Sequence, residues 1–70
     1  MPDYDRMLDM LTRAGIMFNT DWNREILLGS ETRVVKWISV TNKEDGVELR
    51  VDFKFNISGG LESVSPLTNE

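Results

Sequence analysis

Seventy residues with eight Lys and Arg against twelve Asp and Glu, a net charge of -4, make one small acidic domain and leave no room for a second. The absence of cysteine and histidine removes disulfides, iron–sulfur clusters, thiolate zinc sites, the commonest general base and the commonest transition-metal ligand. Hydrophobic residues at 40% are enough for a folded chain, and the negative charge works against non-specific binding to nucleic acid or anionic membrane.

The chain opens with a helix over residues 3–14. Tyr4, Met7, Leu8, Leu11 and Ala14 fall on one face of a 3.6-residue period. Pro2 and Asp3 suit its start, with Asp3 as the expected cap, and Gly15 suits a left-handed stop. Beyond Gly15 the period changes to that of strands. Residues 16–20 and 24–28 read as two short strands separated by a turn at Asp21-Trp22-Asn23, and Gly29-Ser30-Glu31-Thr32 reads as a second turn. Residues 33–41 are β-branched and aromatic, and Asn42-Lys43-Glu44-Asp45-Gly46 has the composition of a hairpin loop. The clearest strand follows, where Val47, Leu49, Val51, Phe53 and Phe55 alternate with Glu48, Arg50, Asp52 and Lys54. Ser58-Gly59-Gly60 is a further turn, residues 61–65 a last strand ended by Pro66, and residues 66–70 a loose tail.

The expected class is therefore α+β: a single domain over residues 1–70, with one N-terminal helix packed on a small antiparallel β-meander at about residues 16–65. Residues 47, 49, 51, 53 and 55 should face the helix, with Leu8, Leu11 and Phe18 across the core. The face of residues 33–41 that meets the helix stays open. If Ile38 and Val40 turn inward, Val35 and Trp37 stand on the uncovered face, and a β-bulge is one way to reconcile the two sets.

No apolar run approaches the ~20 residues that span a bilayer. The opening Met1-Pro2-Asp3-Tyr4-Asp5 is acidic where a secretory leader is basic and then apolar, so the expected location is the cytoplasm. On that reading Asn56-Ile57-Ser58 matches a glycosylation acceptor only by accident.

The opening Tyr4-Asp5-Arg6-Met7-Leu8, the junction Leu11-Thr12-Arg13-Ala14-Gly15-Ile16, and the hairpin Phe53-Lys54-Phe55-Asn56 into Gly60-Leu61-Glu62-Ser63-Val64 span most of the chain. Together they resemble short uncharacterised accessory proteins of bacteriophages and prophages of Gram-positive bacteria. In that group a helix ending in Ala-Gly-Ile leads into a small meander. The Ser58-Gly59-Gly60 turn is longer than the tight turn usual there. The resemblance implies a helix-plus-meander fold and an accessory or host-factor-inhibitor role in the host cytoplasm, and it brings no functional residues with it.

No phosphate loop, nucleophile elbow or Ser-His-Asp set can be assembled. The carboxylates that share a face, Asp5 with Asp9 and Glu48 with Asp52, are interleaved with Arg and Lys, which is the pattern of a solvated charged surface. Glu44-Asp45 supplies too few ligands for a calcium loop. The expectation is a protein that is not an enzyme and carries neither cofactor nor metal.

Candidate interaction residues are Trp22, Trp37, Val35, Arg50 and Lys54. Trp22 has two roles open to it: a lid over the end of the core, or an anchor on a partner. Trp37 with Arg50 and Lys54 is either a cross-strand aromatic shielded by aliphatic stems or a docking patch. The leading function is binding of a protein partner, with a homodimer through Val35 and Trp37 also expected. The alternative is a binder that sequesters an anionic, nucleotide-like molecule, with a tryptophan on the base and Arg33, Arg50 and Lys54 on phosphate. Convergence of these groups on one concave site would favour that alternative. A nucleic-acid mimic ranks last, because carboxylates and cations are intermixed.

Overall fold

A computed structural model describes residues 2–69. Helix α1 (Asp3–Ala14) is followed by four strands, β1 (Phe18–Ile26), β2 (Thr32–Glu44), β3 (Val47–Asn56) and β4 (Leu61–Asn69), with a short 3-10 turn at Leu28–Ser30. The strands form one antiparallel sheet in chain order, so the protein is an α+β helix-plus-meander fold. No helix among the described residues is long and apolar enough to cross a membrane.

The helix ends as its sequence predicts. Gly15 is left-handed at φ 70°, and the Gly15 and Ile16 N–H groups donate to the carbonyls of Thr12 and Leu11, at 3.2 and 3.0 Å. Its start differs. Pro2 occupies the cap position and no side chain caps the first turn; the Asp3 carboxylate instead accepts from the Leu61 N–H at 3.2 Å. Asp3 thus spends its oxygen on tethering the helix to β4. Nearby, the Tyr4 N–H donates to the Gly59 carbonyl at 2.8 Å. Gly59 is needed for this approach: its φ is 96°, and a Cβ there would sit 2.7 Å from the Cβ of Pro2.

Several boundaries correct the sequence reading. β1 runs unbroken through Asp21-Trp22-Asn23, which is strand and not turn. The β2–β3 connection is tighter than the predicted loop: only Asp45 and Gly46, both at positive φ (53° and 80°), join Glu44 to Val47 in a type I′ turn. β4 continues past Pro66, which pairs with Val51, so residues 66–69 are strand and not a loose tail. An edge strand tolerates a proline because its outward side needs no ladder donor. Glu70, the end of that predicted tail, lies outside the described residues. The irregularity falls at Lys54/Phe55 in the β3–β4 ladder, and β2 pairs with both neighbours without a register shift.

Directly opposed residues share a face of an antiparallel sheet, so the register assigns the two faces. The Tyr4 ring packs edge-on against Phe55 at 5.3 Å, which puts Phe55 on the helix side. Phe53, Val51, Leu49 and Val47 follow it there, together with Lys36, Ile38 and Val40 of β2, and Phe18, Thr20 and Trp22 of β1. The other face carries Asn23, Glu25, Arg33, Val35, Trp37, Ser39, Asp52 and Lys54. The sheet and helix form a slab with Cα extents of 46 × 30 × 15 Å. Among the described residues the fully buried apolar side chains are Ile38 and Phe55 on the helix side and Val35 on the other. No residue of α1 is fully buried; Met7, Leu8 and Leu11 are half-buried, as is Phe18, and Leu49 is exposed. The predicted core therefore has the right face and much less depth than its hydrophobic pattern suggests.

Candidate interaction surface

Four of the five candidate residues share one face of the sheet, and the fifth lies on the other. Val35, Trp37, Arg50 and Lys54 belong to the open face, and Trp22 to the helix side of the edge strand.

On the open face the charges are spent on one another. Lys54 Nζ lies 2.5 Å from Glu25 Oε2. In the register Lys54 stands opposite Trp37, and Glu25 opposite Arg33. The bridge between them therefore runs diagonally over Val35, the β2 residue midway between Arg33 and Trp37. This explains how Val35 is completely buried on a face that no helix covers, and it removes Val35 from the exposed interaction residues. The burial is a correction to the expected docking role, and its cause is the aliphatic stem and head group of Lys54 lying over the methyls.

The network extends on both sides. Arg33 reaches Glu62 at 2.6 Å and Glu25 at 3.5 Å, and the three carbons of its stem add to the cover. The Trp37 indole N–H donates to Asn23 Oδ1 at 2.7 Å, and Lys54 Nζ sits 5.7 Å from the Trp37 ring centre. Arg50 Nε lies 2.8 Å from Asp52. Trp37, Arg50 and Asp52 line a shallow depression with Asp21, Asn23 and Ser39, so the predicted neighbourhood of Trp37 with Arg50 and Lys54 is present. The Lys54 hydrogen bond, supported by Arg33, holds the Glu25 carboxyl below its ordinary range, against an opposing contribution from desolvation. Arg50 does the same for Asp52, with help from the Ser39 hydroxyl. The guanidinium groups of Arg33 and Arg50 are correspondingly stabilised in the charged form by Glu62 and Asp52. Arg33, Arg50 and Lys54 are thus each neutralised by a carboxylate.

The helix side presents the opposite chemistry. Trp22 stands in the middle of β1, 61% exposed. It forms one wall of a notch with Tyr4, Thr20, Val34, Lys36 and Ile57, in which Lys36 Nζ lies 4.8 Å over the Tyr4 ring. Trp22 is therefore not a lid on the core. Ile57, exposed beside it, and the Lys36–Tyr4 stack escaped the sequence reading, because both depend on where the helix start docks. Apolar exposure continues along β1 and its flanks: Met17 is 85% exposed, Ile26 79% and Leu28 98%. Among the described residues no group of three or more carboxylates is placed to hold a metal ion.

No family model matches this chain, and no curated protein or solved structure matches it either.

Proposed function

We propose that this chain is a small non-enzymatic interaction protein, of the phage accessory or host-factor-inhibitor kind, that acts in the host cytoplasm by binding another protein. The observation that carries the proposal is the exposed apolar margin of β1, centred on Trp22 and continued by Met17, Ile26 and Leu28. Water contact with exposed apolar side chains is unfavourable, and their gathering along one free strand edge favours docking there. A tryptophan at the centre of such a margin has the area and the rigidity of a binding anchor. The alternative, capture of a nucleotide-like anion, finds less support. Trp37 does share a depression with Arg50 and stands beside Lys54, but a phosphate there would have to displace Glu25, Glu62 or Asp52 from the cations it needs, and Trp22 lies on the other face of the sheet.

The test is retention of lysate proteins from a Gram-positive host on immobilised wild type, Trp22→Ser and Arg50→Ala, with native mass spectrometry of the eluted complexes. The expected result is a stoichiometric protein held by wild type and Arg50→Ala and lost with Trp22→Ser. Elution of a small anionic molecule, lost instead with Arg50→Ala, would replace this function with the alternative.

A further inference from the structure

Resting on the reading of β1 as an interaction surface, we infer that one occupant of its free edge is a second copy of this chain, paired β1 to β1 in antiparallel register about a two-fold axis at Trp22.

The first support is the direction of the backbone. The Asn56 N–H donates to the Gly60 carbonyl, toward β4, so Asn56 and the opposed Val35 do not bond each other. Ladder groups alternate along a strand, so Lys36 turns its N–H and C=O toward β3, and Trp22, opposite Lys36, turns its own outward. The contact made by Trp22 agrees: its N–H is bonded to the Asp21 carboxylate at 2.8 Å. Thr20, Trp22 and Arg24 therefore turn their backbone groups to the free edge.

The second support is the sequence of the edge. Residues 16–18 are apolar, 19–21 polar, 22 tryptophan, 23–25 polar and 26–28 apolar, which is a palindrome in hydropathy about Trp22. A two-fold axis there sets Phe18 against Ile26 of the second copy and Trp22 against itself, on the helix side. It sets Thr20 against Arg24, Asn19 against Glu25 and Asp21 against Asn23, so no like charges stand directly opposed. The exposed flanks Met17 and Leu28 are carried toward the second copy's opposite flank. The other free edge, β4, has no large aromatic side chain at its centre and lacks an outward donor at Pro66.

Asp21 sets the strength of the contact. Its carboxylate covers the Trp22 N–H in the single chain, and pairing must displace it, so the association is reversible and tightens when that carboxylate is removed.

The experiment combines sedimentation equilibrium with cross-linking. Wild type should pass from monomer to dimer with rising concentration, and Asp21→Ala should shift that transition to lower concentration by several-fold. Thr20→Pro, which deletes an outward donor that β2 does not use, should keep its circular dichroism and lose the dimer. Because the chain has no cysteine, an equimolar mixture of Thr20→Cys and Arg24→Cys can be oxidised with copper phenanthroline; it should cross-link faster than either variant alone. That readout decides the matter if Thr20→Pro does not fold. A wild type that stays monomeric at high micromolar concentration overturns the inference, as does a dimer indifferent to Thr20→Pro or a mixture that cross-links no faster than its components. If wild type is monomeric and Trp22→Ser still loses a lysate protein, the dimer falls and the interaction function stands.

Discussion

The open face of the sheet has no second layer and yet buries Val35 completely, whereas the face that carries the helix leaves Trp22 and Ile26 in water. Size explains the contrast. A helix of 12 residues is about 18 Å long in a molecule 46 Å in its longest extent, so it shelters only the strip around Ile38 and Phe55. The cover on the other face is made of side chains from neighbouring strands. Lys54 of β3 and Glu25 of β1 reach across β2 and meet, Arg33 joins them from β2 itself, and their stems need no extra backbone. A salt bridge can thus serve packing more than charge: its two ends hold the stems over a valine. The helix face lacks such a lattice along β1, and its apolar residues remain available for docking.

The largest effect on this comparison should come from Phe55→Ala. Phe55 is fully buried and carries the edge-on contact with Tyr4, so its removal should cost about 3–5 kcal/mol, enough to unfold a domain this small. Loss of the cooperative transition in thermal circular dichroism is the expected outcome. Phe53, which stands among the same alternating residues, is only half-buried and should cost less.

Gly59→Ala comes next. The added methyl would meet Pro2 in a left-handed backbone, and relief requires the helix start to lift from the sheet. A loss of about 1–3 kcal/mol is expected, together with faster amide exchange at Tyr4, whose N–H is bonded to Gly59.

These two positions also show which parts of the molecule were legible in the chain. The helix, its glycine stop and the alternation of β3 depend on local spacing, and local spacing is what a sequence displays. Which face of residues 33–41 meets the helix is open in the chain; the register turns Ile38 and Val40 inward and leaves Val35 and Trp37 on the uncovered face. What failed was the meaning of polar residues. Asp21-Trp22-Asn23 has the composition of a turn, but an edge strand with one solvated face accepts polar residues without breaking. Pro66 has the composition of a strand end for a similar reason, and an outer strand accommodates it. The burial of Val35 could not be read at all, because it depends on Lys54 and Glu25, far apart in sequence, meeting over it.

A smaller effect separates cover from charge on the open face. Lys54→Ala removes the stem over Val35 and should cost about 1–2 kcal/mol, while Lys54→Met keeps most of the stem and should cost about half as much, measured by urea denaturation. If both substitutions cost the same, the charge matters more than the cover. Acid provides the complementary probe. Glu25 and Asp52 have folded-state pKa values below their unfolded ones, so the stability they contribute is fully present above the ordinary carboxylate range. It is lost as the pH falls through that range toward their depressed folded values. The denaturation midpoint should drop on acidification, and Lys54→Met should flatten that dependence because Glu25 loses its principal partner.

The smallest expected effect on folding is the most informative about the exposed face. Trp22 is 61% exposed, and neither its ring nor its outward backbone groups support the core. Trp22→Ser should therefore change stability by no more than about 0.5 kcal/mol, the range of surface substitutions away from special features. Serine lowers the β-propensity of an edge strand slightly, so a small loss is expected and not a gain. The same substitution should abolish docking along β1, since it removes the largest apolar side chain at the centre of that margin. A protein that keeps its urea midpoint while losing its partner would separate the two faces by function as well as by structure. A large fall in the midpoint would instead mean that the notch of Tyr4, Lys36 and Ile57 closes over Trp22 in solution, and that this tryptophan belongs to the core after all.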